Sequence, residues 1–352
     1  MFVLWPVALM STIFSESSLF SAQVAIVGPI IVFALVLALF GFYTLLFGLS
    51  VHFLYKGKNI PHRNLHIAWI ISLFLITSVG GIISAATGID DLVVIYNTLR
   101  TQDLAAFVKF FNANTAETVM TGFVYTCLVL ANCIADSVMI HRIYLVWGSR
   151  LWIIILPALA SLVLNVVGLT SDIMRTKGFS NAAIESNFDL ELKGKNIGLG
   201  FFYANAVFNM LLTAMIAGRI WWVGRRTSAT FGRSGMINQK YKDLIAVLLE
   251  CGVLYPIALI AHAAVEGHLS TIAIPVDMTG PTILVAGISP TMIIFTTIAP
   301  STLQYSSQGG MDSTKNIANL MRAANISQGE STLNSGQNLE VEIEMKRITV
   351  EV

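Results

Sequence analysis

Charge is what this sequence has least of. Asp, Glu, Lys and Arg make up 12% of its 352 residues, while 55% are hydrophobic. A soluble domain carries about 25% charged residues, because its surface must stay hydrated. Folded as one water-soluble core, this chain would have too few polar residues to cover itself. Composition therefore excludes a large soluble domain and requires an integral membrane protein. The net charge of +1 says little by itself. The positions of the cations matter more, because Lys and Arg in short loops set membrane orientation.

Other shortages exclude other classes. Cys127, Cys133 and Cys251 all fall inside apolar runs. They predict small buried thiols and exclude a disulfide framework. No HExxH, GxSxG or GxxxxGK[ST] pattern occurs, so no catalytic residue is nominated and no enzyme is expected. His62 and His66 share a helical spacing, and His262, Glu266 and His268 fall close together, but neither group matches a metal-site motif. No metal, cofactor or nucleic-acid partner is expected. Residues 278–300 contain no lysine, which removes the retinal Schiff base of a microbial rhodopsin. The cysteine at the outer end of span three and the Asn-Pro-x-x-Tyr of span seven in common rhodopsin-like receptors are missing as well. Residues 1–14 contain no Lys or Arg, so they lack the positive start of a secretory signal. Residues 1–23 are expected to form an extracellular N-terminus.

What is present is a series of long apolar runs. A helix needs about 20 apolar residues to cross the hydrocarbon core. Residues 24–54, 65–88, 118–147, 151–171, 196–223, 244–265 and 278–300 each supply such a run. They predict an all-α bundle of seven transmembrane helices over 24–300, organised around the third. Gly80, Ser84 and Gly88 recur at four-residue spacing, a pattern that lets helices approach closely in lipid. Residues 89–115 and 172–195 mix charges with apolar groups and read as connections. Gly148-Ser149-Arg150 reads as a very tight turn. Residues 301–352 are rich in Ser, Asn, Gln and Gly and predict a disordered tail.

One set of loops carries Lys56, Lys58, Arg63, Arg150, Arg225, Arg226, Arg233, Lys240 and Lys242 in short segments. The opposite, longer loops carry Arg100, Lys109, Arg175, Lys177, Lys193 and Lys195. The denser set belongs in the cytosol. The N-terminus is then outside, the tail is cytosolic, and its Asn325-Ile326-Ser327 sequon is unglycosylated. The expected location is the plasma membrane.

Charges inside spans are expensive in lipid, so each is a functional candidate. Asp136 lies roughly 9 Å before Arg142 along a helix. Glu250 is the acid of the sixth run, and Arg219 ends the fifth. Asp136, Glu250, Arg142 and Arg219 are nominated as a polar cluster at the cytosolic end. Two readings stay open for them. The arginines snorkel to headgroups while the acids are neutral packing groups, or the four form a two-state lock or a proton pathway. Arg225, Arg226, Arg233, Lys240 and Lys242 are nominated as a contact for a cytosolic partner or for anionic lipid.

Asp136 followed by His141-Arg142-Ile143-Tyr144-Leu145-Val146-Trp147-Gly148 resembles the third-span signature of a seven-span family from mushroom-forming (basidiomycete) fungi, whose function is unassigned. Ala217-Gly218-Arg219-Ile220-Trp221-Trp222 and Leu249-Glu250-Cys251-Gly252-Val253-Leu254-Tyr255 resemble two further signatures. The family more often reads Tyr-Arg-Cys-Tyr at 141–144 and Glu-Ser-Gly at 250–252. The resemblance implies a fungal integral membrane protein and transfers no ligand or catalytic residue. The leading functional expectation is a receptor-like sensor signalling through its cytosolic loops. The alternatives are a non-enzymatic transporter or lipid-handling protein using Asp136 and Glu250, and a structural membrane scaffold.

Overall fold

The computed structural model describes residues 18–57, 62–101, 114–180, 184–230, 235–268 and 277–296. Among these there are helices and no strand: α1 (Ser18–Lys56), α2 (Arg63–Thr101), α3 (Thr115–Val146), α4 (Leu151–Phe179), α5 (Glu185–Thr230) and α6 (Gly235–His268). The last, α7, spans Thr279–Thr296. All seven are long and apolar enough to cross a membrane. The expectations for residues 1–17 and for the tail with its sequon lie outside the described residues.

The distribution of polarity is that of a multi-pass membrane protein. Leu156, Leu45 and Ile31 face outward at 74%, 62% and 61% exposure, while Asn132, Asp136 and Asn205 are fully buried. A soluble protein does the reverse. In lipid this arrangement is stable, because the outward groups meet hydrocarbon and the inward polar groups find partners.

Consecutive helices from α1 to α6 pack side by side, and α3 also crosses α5. α7 closes the bundle. Its Ile283 joins Leu73, Val124, Leu128 and Tyr255 in one core cluster, and Leu284 and Ile288 join Val36 and Tyr43 in another. α7 and α3 form the interior, with 78% and 61% of their most apolar windows buried, against 17% for α1 and 22% for α4. Sequence accounts for this. α7 is rich in small and hydroxyl residues that allow close packing, such as Thr279, Gly280, Ala286, Gly287 and Ser289, whereas α1 is almost uniformly apolar. The bundle has two ends. The Asp91 end holds the start of α3, α5 and α7. The Arg142 end holds the start of α2, α4 and α6.

The α3–α4 connection at the Arg142 end is the tight turn that the sequence predicts. Gly148 and Ser149 take φ of 75° and 60°, a region that glycine enters without penalty. The turn closes with Trp147 N donating to Ile143 O at 3.0 Å and Ser149 N to Tyr144 O at 2.9 Å.

Several helices run further than hydropathy suggests. α2 continues to Thr101, α4 to Phe179, α5 runs from Glu185 to Thr230, and α6 already begins at Gly235. Much of 89–115 and 172–195 is therefore helix. The reason is where the charges point. Asp172, Arg175, Glu191 and Lys195 are buried, so α4 and α5 continue through charged residues that face the bundle. Gly178 permits this junction, since a Cβ there would sit 2.6 Å from Asn187 O and 2.6 Å from Glu191 N. In the small-residue row of α2, a Cβ at Gly80 would sit 2.9 Å from Cys127 Cβ, whereas at Gly88 it would meet nothing within 4 Å. Cys127 and Cys251 are buried as expected, but Cys133 lies on the outward face of α3.

Gly178→Ala must push the α4 and α5 backbones apart. It is expected to cost about 1–3 kcal/mol, the usual range for overpacking. A fall in the thermal unfolding midpoint in detergent, with no fall in Gly88→Ala, is the expected result. Equal effects at both positions would contradict the close approach.

Candidate functional site

Polar residues one turn apart recur along the bundle interior. α3 supplies Asn132 and Asp136, α4 supplies Ser161 and Asn165, and α5 supplies Asn205 and Asn209. Residues at i and i+4 share a helix face, so each helix presents two polar groups to the same place. An ionised carboxylate only accepts hydrogen bonds, and Asp136 is surrounded by donors. Its Oδ2 accepts from Ser161 Oγ at 2.7 Å, from Asn165 Nδ2 at 3.3 Å and from Asn132 Nδ2 at 3.4 Å. Its Oδ1 accepts from Asn209 Nδ2 at 3.5 Å. Asn132 extends the network, donating to Asn165 Oδ1 at 3.0 Å. It also accepts from Asn205 Nδ2 at 2.6 Å and from the Tyr255 hydroxyl of α6 at 3.0 Å. One carboxylate thereby ties together α3, α4 and α5, with α6 joined through Asn132.

A second buried group lies toward the Asp91 end. The Arg175 guanidinium of α4 pairs with the Glu266 carboxylate of α6 at 2.5 Å. It also donates to the Tyr125 hydroxyl of α3 at 2.8 Å and lies 4.3 Å from the centre of that ring. His262 Nε2 stands 3.2 Å from Glu266 Oε2, and its ring meets Phe202 of α5 edge-on at 4.5 Å. Arg175 and Glu266 are both more than nine-tenths buried. Such a pair holds its helices together because separating the partners strands a charge away from water.

Arg175 and Tyr125 also form part of the wall of a cavity of about 70 Å³ at the Asp91 end. Its other lining groups include Asp91 on α2, Glu117 on α3, Glu191 on α5 and Asp277 before α7. The Asp91 and Glu117 carboxyls meet each other across the α2–α3 contact. Asp277 caps α7, with its Oδ1 accepting from Thr279 N at 2.9 Å.

The four nominated intramembrane residues occupy separate places. Asp136 is the hub of the interior network. Arg142 reaches α7 and donates to Ile293 O at 2.6 Å. Arg219 stacks between Trp147 at 5.0 Å and Trp222 at 4.5 Å. Glu250 lies on the exposed side of α6. Arg225 and Arg226 are exposed at the Arg142 end, over Trp221 at 4.9 Å and Trp222 at 5.1 Å. Arg233 lies outside the described residues, and Lys240 and Lys242 fall in the first turns of α6. His62 and His66 are joined at that end by His141, whose ring is 5.5 Å and 5.9 Å from theirs.

Asn132, Asn165, Asn205 and Asn209 had a signal that a search for charges alone passes over. Amides at four-residue spacing inside apolar runs mark an inward face as clearly as an acid does. Arg175 and Glu266 had none while 172–195 read as a loop. Comparisons of the chain with family models, with curated proteins and with solved structures found no match.

Proposed function

We propose that this chain is a receptor-like sensor that takes a ligand at the Asp91 end and presents its Arg142 end to a cytosolic partner. The observation that carries the reading is the wall of the cavity. Arg175 lies in it and is bonded to Tyr125 on α3 and to Glu266 on α6. The same two helices meet again deeper in the bundle, where Tyr255 of α6 bonds Asn132 of α3. A charged ligand in the cavity would act electrostatically on Arg175 in its wall, and through it on the pair with Glu266. It would thereby bias the α3–α6 contact that the interior network also holds.

The orientation belongs to this proposal and rests on loop charge, with the Asp91 end outside. The exposed Arg225 and Arg226 suit a signalling protein, or the anionic lipids of the inner leaflet. The fungal seven-span resemblance is compatible with the reading and adds no ligand.

A transporter that uses Asp136 is the second reading, favoured by the burial of that acid among several helices. Its donors Ser161, Asn165, Asn132 and Asn209 join three helices through one side chain, which suits a fastener better than a passage. Purified protein in sealed vesicles decides between the two, with a pH-sensitive dye inside and an imposed proton gradient. The sensor reading predicts a leak equal to that of protein-free vesicles. A leak that disappears in Asp136→Asn would establish the transporter.

A further inference from the structure

The cavity at the Asp91 end presents acceptors and few free donors. Asp91, Glu117, Glu191 and Asp277 place carboxylates along it. Asp91 Oδ1 and Glu117 Oε2 are buried, with no hydrogen-bond partner among the described residues. Three of the neighbouring hydroxyls have already given up their protons. Thr87 Oγ1 donates to Ser84 O at 3.0 Å, and Thr118 Oγ1 donates to Asn114 O at 3.0 Å. Thr279 Oγ1 donates to Asp277 Oδ1 at 2.5 Å. What these hydroxyls have left to offer is lone pairs. The cation in the wall, Arg175, is already held by Glu266 and Tyr125.

A site of this kind is completed by a guest that brings positive charge and N–H donors. Two carboxyls in contact, shielded from water, either share a proton or repel each other strongly. A cation between them removes the repulsion and gives each a charge-assisted hydrogen bond. No group of three His, Cys, Asp or Glu side chains among the described residues is arranged to hold a metal ion. An organic cation with N–H donors suits this lining better than a metal ion, and sodium is the control for the latter. A cavity of about 70 Å³ limits the guest to a short chain, and Val124 and Phe179 in the lining suit an alkyl portion.

We propose that this cavity binds a small primary ammonium compound, anchored by Asp91 and Glu117. The proposal names the ligand class of the sensor described above and rests on that reading. It differs from the interior network in kind. Asp136 is surrounded by donors, whereas Asp91 Oδ1 and Glu117 Oε2, beyond the contact that the two carboxyls make with each other, have none.

The test uses the full chain purified in detergent, with ethylammonium chloride as the probe. Tetramethylammonium chloride and sodium chloride at matched ionic strength are the controls. The thermal unfolding midpoint is expected to rise saturably with ethylammonium. Tetramethylammonium has the charge but no N–H, and it should do no more than sodium. Asp91→Asn and Glu117→Gln keep the side-chain shape and should each weaken the apparent affinity about tenfold or more. Glu250→Gln, on the exposed side of α6, should leave it unchanged. Broadening of the ethylammonium proton resonances on adding protein reads the same binding without unfolding, and so covers a variant that melts early. An equal effect of tetramethylammonium, no saturable effect of ethylammonium, or undiminished affinity in both carboxamide variants would overturn the proposal. Binding without any response at the Arg142 end would overturn the sensor reading and leave the ammonium site standing.

Discussion

Replacing Arg175 with leucine is expected to lower the unfolding free energy by about 3–5 kcal/mol, the usual loss when one partner of a buried ion pair is removed. The loss comes less from the missing attraction than from the Glu266 carboxylate left behind, which is more than nine-tenths buried and beyond the reach of water. Tyr125 also loses the donor 2.8 Å from its hydroxyl. Removing both charges should therefore be milder than removing one. The double variant Arg175→Leu/Glu266→Leu is expected to recover much of the stability, because no orphaned charge remains. Denaturant titration in detergent of the wild type, both single variants and the double variant measures this cycle. Additive losses would mean that the pair contributes nothing as a pair.

Asp136→Leu is expected to cost about 2–4 kcal/mol. Interhelical hydrogen bonds in membrane proteins average about 0.6 kcal/mol each, and every orphaned buried donor adds roughly 1–3 kcal/mol where no new partner is found. Asp136 accepts from Ser161, Asn165, Asn132 and Asn209. Not all of these are stranded when it is removed. Asn165 Nδ2 also donates to Ser161 O at 2.8 Å, and Asn209 Nδ2 to Asn205 O at 3.1 Å. That second set of partners is why the expected loss is smaller than at Arg175. Asp136→Asn keeps the shape and one acceptor oxygen, so it should cost about 1 kcal/mol. The same denaturant titration orders the two variants. If Asp136→Leu were neutral, the network would be packing that tolerates any group of its size.

The two predictions also separate what sequence makes visible from what it conceals. Each helix was legible because a bilayer demands about 20 apolar residues in a row, and little else satisfies that demand. Asp136 was legible because an acid inside such a run is rare. Helix ends were harder to place. Hydropathy reports how polar a residue is and not which way it faces, so Asp172 and Arg175 looked like the start of a loop. They are the inward face of α4, continuing in helical register. Glu250 illustrates the converse. Its place in an apolar run suggested a partner for Asp136, yet it lies on the exposed side of α6 while Tyr255, five residues on and so about 140° further round the helix, faces the network. Arg142 and Arg219 share an end of the bundle, as their positions imply. Their partners, Ile293 O and the rings of Trp147 and Trp222, depend on helix rotation, which one sequence does not determine.

A charge received at the Asp91 end is expected to change the arrangement of helices at the Arg142 end. Spin labels at Ser149→Cys in the α3–α4 turn and at Arg225→Cys on α5, in a background without Cys127, Cys133 and Cys251, would report that arrangement as a distance distribution. Both positions are exposed, so labelling should not disturb the packing. The measurement is made in lipid nanodiscs with and without saturating ethylammonium, on wild type and on Glu117→Gln. The account predicts a second distance that grows with ethylammonium in the wild type and stays absent in Glu117→Gln. A single unchanged distribution, in protein whose thermal midpoint shows that ethylammonium is bound, would contradict it.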